Sequence, residues 1–532
     1  GATGKGHGSD TAVMLDACEG PDLGAPYVAP PLGKGHAAAI SRPPRRLRVA
    51  ICDTTLTGEP IHPEVAEAVR ATGRLLESLG HVVEPTQPKA DVLTMMRAWT
   101  DIVGIGTALS QAAEAPAVPV LPRASLGAAD LAVLVAQGAP LSEAVALAYQ
   151  QARGIPAANI IRVAVPGGSD SISDSDFATL KAAIDAQIPA GVQASLVTWT
   201  QPSRVQGSGC AMGITSALAF GYNPVLCGGC NRTQASAYYD TDTTRPWADL
   251  RIRPAMMLGA ATLEAAQALI ARGLAAEGSA PSGTGWLVRT ADTARSVRWT
   301  DYPALPGNWA TAPGLALRVL DGSTAGSPQE VTGQPDVLFY FTGAARLAQM
   351  DSNRFLPGAV ADHLTSFGGF LPGGKGQMTA TAWLAAGATA SYGTVEEPCN
   401  HAEKFPRASV LLEHYLRGAT VIEAYWKSVA WPGQGLFVGD PLARPWAHTS
   451  TATVEGDALV VRTRALRRLT TYQVQLQPAG SSQWRLLDSL SAGQPRPVVW
   501  RVPLPADAAG GRLRWLGPCP LRPADRCVLA EG

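Results

Sequence analysis

Val337-Leu338-Phe339-Tyr340-Phe341 opens the stretch 336–445, and Leu436-Phe437-Val438, running into Gly439-Asp440-Pro441, closes it. Runs of this kind, rich in β-branched and aromatic residues and bounded by Gly and Pro, belong to strands buried on both faces of a sheet. A third strand at 388–392 and a helical segment at 409–417 lie between them. That order is α/β, with strand ends turned into loops where chemistry is usually placed. Working outward, strands are expected at 130–135, 160–165, 194–199 and 285–289. Helices are expected at 142–149, capped by Ser142, from 174 or 175 to 188, and at 263–272. Alternation at these lengths predicts a mainly parallel sheet.

The chain of 532 residues is too long for one core. Lys+Arg 43 balances Asp+Glu 43, so no global field favours nucleic acid or an anionic membrane. Hydrophobic residues make up 46%, and no run approaches the ~20 apolar residues of a membrane span. The first residue is Gly, not Met, and no charged-then-apolar leader follows, so the start reads as missing, processed or engineered. No Walker or dinucleotide fingerprint occurs; Gly373-Gly374-Lys375-Gly376 lacks the following Ser or Thr and reads as a turn. No cofactor is expected.

Eight cysteines fall in three regions. Cys18 and Cys52 read as buried apolar residues. Cys227-Gly228-Gly229-Cys230, with Cys210, reads as a disulfide or plain structural cysteines, as part of a zinc site, or as a redox pair. Cys519 and Cys527 flank a Pro-rich turn and read as a disulfide-closed loop, which implies an oxidising compartment and so an exported protein. Two arginine-bearing loops, 245–253 and 290–295, have the residue type that clamps carboxylate or phosphate, with ion pairs to Asp249 and Asp292 as the plainer account.

Residues 1–114 contain a βα unit, a strand at 47–52 and a helix from His62-Pro63 whose Val65, Val69, Leu76 and Leu79 form an apolar face, ended by Gly80. The phrases Asp10-Thr11-Ala12-Val13-Met14-Leu15-Asp16, Gly20-Pro21-Asp22 and Pro26-Tyr27, with His62-Pro63-Glu64 and Leu79-Gly80-His81, resemble the amidase signature family over about residues 10–111. They match the part after that family's catalytic core, so the resemblance implies a remnant without the Lys, cis-Ser and nucleophilic Ser. Gly167-Gly168-Ser169-Asp170 is no substitute and reads as a loop before a capped helix.

Pro116, Pro119 and Pro122 then form a stiff linker. Beyond it, Leu131-Ala132-Val133, Arg153-Gly154-Ile155-Pro156, Pro254-Ala255-Met256-Met257, the run from Leu356 to Ser366, and Gly439-Asp440-Pro441-Leu442-Ala443 resemble a bacterial exported family of which some members carry exosortase sorting tails. The resemblance covers about 116–446 and implies no activity. The abrupt change between the two resemblances reads either as a gene fusion or as an artificial junction.

The order of strands and the phrase Ala386-Gly387-Ala388-Thr389-Ala390 are also similar to the caspase/gingipain-like cysteine peptidases, which place His at the end of one strand and Cys at the end of the next. Here those strands end in Thr342-Gly343 and Thr365-Ser366, so both defining residues are absent. The candidates to replace them are Cys399 with His363 as a thiolate–imidazole pair, and Ser366 beside Asp362 and His363. Cys399 also reads as a structural cysteine bridged to the Cys210, Cys227 and Cys230 group. Opposite these stand strand alternation, which separates residues three apart, and two carboxylates next to Cys399 that raise a thiol pKa.

After 446, alternating runs at 458–462, 471–476, 498–502 and 512–515 predict a β-sandwich of immunoglobulin or fibronectin type III kind. The fold expected is thus α/β: a central mainly parallel sheet of caspase/gingipain-like layout (115–446), an N-terminal βα remnant (1–114) and a C-terminal antiparallel β-sandwich (447–532). The function expected is non-catalytic or cryptic, with a peptide or cell-surface partner; the alternative is a hydrolase of amide or peptide bonds.

Overall fold

The computed structural model describes residues 8–18, 35–40, 44–55, 58–86, 91–112, 115–123, 125–493 and 495–532. The phrases Gly20-Pro21-Asp22 and Pro26-Tyr27 lie outside the described residues. The chain forms two compact units, 1–111 and 112–532.

In the first unit the expected strand, Arg48–Ile51, pairs in parallel with Val82–Pro85, and the helix Pro63–Ser78 packs against them. Its contact face is the expected one only in part: Val69 and Leu76 are half-buried on it. Val65 and Leu79 are exposed, and the close approach is made by Ala66 and Gly73, where a Cβ on Gly73 would already sit 3.0 Å from Ile51. Small residues seven apart bring the helix axis nearer the strands than branched ones allow.

The second unit is built on a ten-stranded sheet. In chain order we label its strands β1 (Leu131–Ala136), β2 (Ile160–Val163), β3 (Ala194–Val197), β4 (Ala255–Met257), β5 (Gly283–Arg289), β6 (Leu315–Asp321), β7 (Val337–Gly343), β8 (Phe355–Leu364), β9 (Ala390–Thr394) and β10 (Gly435–Gly439). Their spatial order is 6-5-7-8-9-10-4-3-1-2. Every neighbouring pair is parallel except β9 and β10, which run antiparallel through the register Ala390↔Gly439 to Thr394↔Gly435. The sheet is therefore two five-stranded parallel halves of opposite direction. Numbered within itself, each half has the doubly wound order 2-1-3-4-5. The second half is β5 to β9; the first is β1 to β4, closed by the late strand β10.

The apolar runs read from the sequence are the buried strands: all residues of β1, β3, β7, β9 and β10 are buried. Helices α1 (Pro140–Arg153), α2 (Leu263–Ala276), α3 (Ala380–Ala385), α4 (Ala408–Leu416) and α5 (Val421–Ser428) cover the two faces. Two local expectations need correction. Helix α1 starts at Pro140, so Ser142 lies inside it and is not its cap. The strand expected at 388–392 begins at Ala390, because Gly387 has φ +114 and the chain is still turning there.

Residues 451–531 supply seven antiparallel strands, a sheet of three and a sheet of four, around Leu459, Val461, Val474, Trp500 and Trp515. The expected four runs are all strands, joined by Thr451–Glu455, Arg485–Ser491 and Arg526–Glu531. The prolines at 116–122 do not make a free linker. Ala117 accepts from the Leu513 amide and donates to the Gly511 carbonyl, and Val118 and Leu121 pack on the same core. Arg467 meets Asp240 (3.0 Å) and Asp242 (3.0 Å), tying the sandwich to the α/β part.

Candidate functional site

The cysteines decide the first question. Disulfides join Cys210 to Cys227, Cys230 to Cys399, and Cys519 to Cys527. The last is the pair expected, and Cys399 is bridged to the middle group. Cys227 and Cys230 are not bonded to each other: Gly228 and Gly229, at φ +126 and +54, turn the chain between them, and each sulfur crosses to a different partner. Cys210, Cys227 and Cys230 therefore hold no free thiolate for zinc, and among the described residues no group of three His, Cys, Asp or Glu is placed to hold a metal ion. Cys399 likewise has no thiol with which to attack a carbonyl. Cys18, expected buried, is exposed.

His363 is fully buried, and both of its nitrogens are committed. Nδ1 accepts from Trp383 Nε1 (2.9 Å), which fixes the proton on Nε2, donated to the Met378 carbonyl (2.9 Å). Burial pushes its pKa down to about 4. It is a neutral structural ring, not a base. Asp362 lies on the opposite face, as strand alternation requires. Its Oδ1 accepts from Arg298 Nη1 at 2.6 Å, while burial still raises its pKa to about 6. Ser366 lies just past β8, where its carbonyl accepts from Thr394 Oγ1 (3.0 Å). The structure brings neither His363 nor Cys399 to it as an activating pair.

The strand ends themselves are closed. A Cβ added to Gly343, at the end of β7, would lie 2.0 Å from the Arg295 carbonyl oxygen, so the chain after β5 fills the place beside that end. Arg295 is held there by Asp292 (2.6 Å) and by Thr365 Oγ1 (3.2 Å), which makes the 290–295 loop an internal clamp. The 245–253 loop is similarly self-satisfied, with Arg245 3.6 Å from Asp249 and Arg253 stacked 3.9 Å from the Trp247 ring.

Doubly wound sheets bind ligands where the strand order reverses, here between β1 and β3 and between β5 and β7. Both crevices are sealed by the same device. In the first half the Ala136 amide donates to Ser142 Oγ (2.9 Å), that hydroxyl meets Thr198 Oγ1 (2.6 Å), and Thr198 donates across to the Leu134 carbonyl (2.9 Å). In the second half the Thr290 amide donates to Ser296 Oγ (2.9 Å), the two hydroxyls meet (2.9 Å), and Thr290 donates across to the Gly343 carbonyl (2.5 Å). In each half the serine stands six residues after the amide it receives. Sequence reasoning took Ser142 only for a helix cap and Thr290 only for part of an arginine-bearing loop, and it passed over Thr198 and Ser296; the one available signal was a serine at that offset past a buried strand.

At the carboxyl edge of the second half a cleft of about 190 Å³ stays open, lined by Tyr239, Arg298, Asp301, Tyr302, Glu403 and Arg407. Arg407 grips Asp301 through Nε (2.6 Å) and Nη2 (3.0 Å). Arg298 forms the floor: Nη2 donates to the Thr342 carbonyl (2.7 Å) and Nη1 to the Pro406 carbonyl (3.1 Å) as well as to Asp362. Its Nε has no partner among the described residues. Burial raises the Tyr302 phenol to about 12, so it stays protonated and able to donate at neutral pH. The wall carrying Ala402 and Glu403 follows Cys399 directly and is pinned by the Cys230 disulfide and by Lys404, which donates to the Gly229 carbonyl. This arrangement offers donors, acceptors and an aromatic rim; it offers no nucleophile beside a free base.

Gly439-Asp440-Pro441 has a structural role. Tyr149 donates to Asp440 Oδ1 (2.7 Å) and Arg153 pairs with Oδ2, which locks α1 to the end of β10. No protein-family model, no curated protein and no solved structure matches the chain.

Proposed function

We propose that this chain is an exported, non-catalytic binding protein whose α/β domain has a degenerate peptidase-like layout, and that a peptide or cell-surface partner occupies the cleft over Arg298 and Arg407. The observation that carries this reading is the closure beside Gly343 by the Arg295 carbonyl, with His363 locked as a neutral ring on the far face. Three disulfides are compatible with an oxidising compartment. The residues that resemble the amidase family lack its nucleophile, and Cys399 is a disulfide sulfur. Such a cleft recognises by hydrogen bonds to main-chain groups and by contact with Tyr239 and Tyr302.

The test is to incubate the oxidised protein with fluorogenic peptide and amide libraries and with thiol- and serine-directed probes, and in parallel to screen a peptide array for binding. No turnover, no labelling of Cys399 or Ser366, and array binding weakened by Arg407→Ala are expected. Turnover that disappears in Ser366→Ala or His363→Ala overturns the reading in favour of a hydrolase.

A further inference from the structure

A second cleft, of about 370 Å³, opens at the carboxyl edge of the first half, where the chain leaves β4 and passes between α2 and α3. That size is in the range of small-molecule sites, about 300–1,000 Å³. Its walls are built largely of small residues, Ala261, Ala265 and Ala268 on one side and Ala382 and Ala385 on the other, with Leu269, Leu384, Thr379 and Thr381 completing the lining. Gly259, at φ +75, already lies so close to α3 that a Cβ would meet Leu384 at 3.2 Å and Thr381 at 3.3 Å. The charged residue lining the cleft is Arg272, and no Asp or Glu among the described residues lines it.

Arg272 shares with Arg464 the lack of a carboxylate partner among the described residues, but only Arg272 lines a cleft of this kind. Arg153, Arg298, Arg417 and Arg467 each meet a carboxylate within 3.0 Å. Among the described residues Arg272 has no ion pair. Its Nη2 donates to the Leu384 (2.8 Å) and Ala388 (3.1 Å) carbonyls, and among the described residues its buried Nε has no partner and no acceptor takes the hydrogens of Nη1. Burial with no counter-charge lowers its pKa. The bonds through Nη2 account for holding the end of α3, but they leave an uncompensated cation facing an apolar cleft. Leaving a guanidinium unpaired at such a place is costly unless an anion completes it.

We propose that this cleft binds a molecule carrying a single carboxylate and a compact apolar body, the carboxylate on Arg272 Nη1 and the apolar part along the alanine walls. One guanidinium with one free nitrogen matches one negative charge; a phosphate dianion would leave a second charge against alanine. A free short-chain acid and the carboxyl end of a small-residue peptide share this chemistry. The site stands apart from the Arg298 cleft and does not depend on whether that cleft binds peptide.

Calorimetric titration of the full chain with hexanoate, with hexanamide and with N-acetyl-Ala-Ala-Ala tests it and separates the two sources. At least one of the two acids should bind, and hexanamide should bind about tenfold more weakly than hexanoate, the size of one charge-assisted hydrogen bond. Arg272→Gln should abolish the preference for acid over amide. Because that variant also disturbs the end of α3, Ala268→Leu serves as a second: Ala268 is exposed on α2, so the fold should survive while filling of the cleft weakens the acid that binds. Failure of both acids to bind, equal affinity for hexanoate and hexanamide, or binding unaltered in both variants overturns the proposal.

Discussion

At the scale of single residues, burial decides what the titratable groups can do. Arg298 and Asp362 form a buried pair whose side chains are 6% and 0% exposed. Arg298→Ala leaves a carboxylate alone in the core and should cost about 3–5 kcal/mol. Asp362 protonates at about 6, so the loss should be larger at pH 7.5 than at pH 5, as measured by urea unfolding. The histidines carry a second prediction. Burial depresses the folded pKa of His363 to about 4, of His414 to about 3 and of His448 to about 4. As pH falls the unfolded chain takes up these protons first. The stability they contribute is whole above the ordinary imidazole value of about 6.5 and is lost as pH falls through about 4. Asp362, raised, works in the opposite sense: its share is whole below the usual carboxylate range and lost as pH rises through about 6. Three groups against one give a lower urea midpoint at pH 4.5 than at pH 7.

At the scale of elements, close approaches and covalent ties hold the loops that shape the clefts. Gly273 on α2 lets Asp440 and Arg153 meet; a Cβ there would lie 1.8 Å from Asp440 Oδ2. Gly273→Ala should destabilise by about 1–3 kcal/mol through forced displacement of that pair. The disulfide Cys230–Cys399 closes a long loop, with 169 residues of sequence separation, and holds the wall of the Arg298 cleft. Replacing both with serine should lower unfolding free energy by about 2–4 kcal/mol. Limited proteolysis should then cut within 222–235 or 396–404 before the rest of the unit, whereas an unchanged cleavage pattern would show that noncovalent contacts alone hold these loops. Both elements were legible in part: Gly439-Asp440-Pro441 stood out as a phrase and Cys399 as a bridging cysteine. Their partners Gly273 and Cys230 lie far away in sequence, and no local pattern marks a glycine whose missing Cβ matters only because another helix passes.

At the scale of the whole molecule, the two units differ in what stabilises them. Among described residues of 1–111, the buried apolar side chains are Ala12 and Ala66, whereas 112–532 carries continuous cores on the sheet and in the sandwich. A unit with so little buried apolar area contributes little cooperative stability. Removing 1–111 should leave the thermal midpoint of the remaining chain within about 2 °C and its transition cooperative, as scanning calorimetry would record. A large downward shift would mean that the first unit supports the second.

The sequence by itself determined the α/β class, the buried strands, the antiparallel C-terminal strands and the disulfide-closed turn at 519–527, because burial on both faces, period-two alternation and short-range cysteine spacing are local signals. It also showed that Thr342 and Ser366, not His and Cys, stand at the ends of those two strands. Only the tertiary structure decided that β10 returns to complete the first half, that both strand-order crevices are sealed by a hydroxyl pair, that Cys227 and Cys230 part to different sulfurs, and that Arg272 faces a cleft without a counter-charge. Each of these depends on groups from distant segments meeting at one point, and the free energy of that meeting is carried by the partner as much as by the residue.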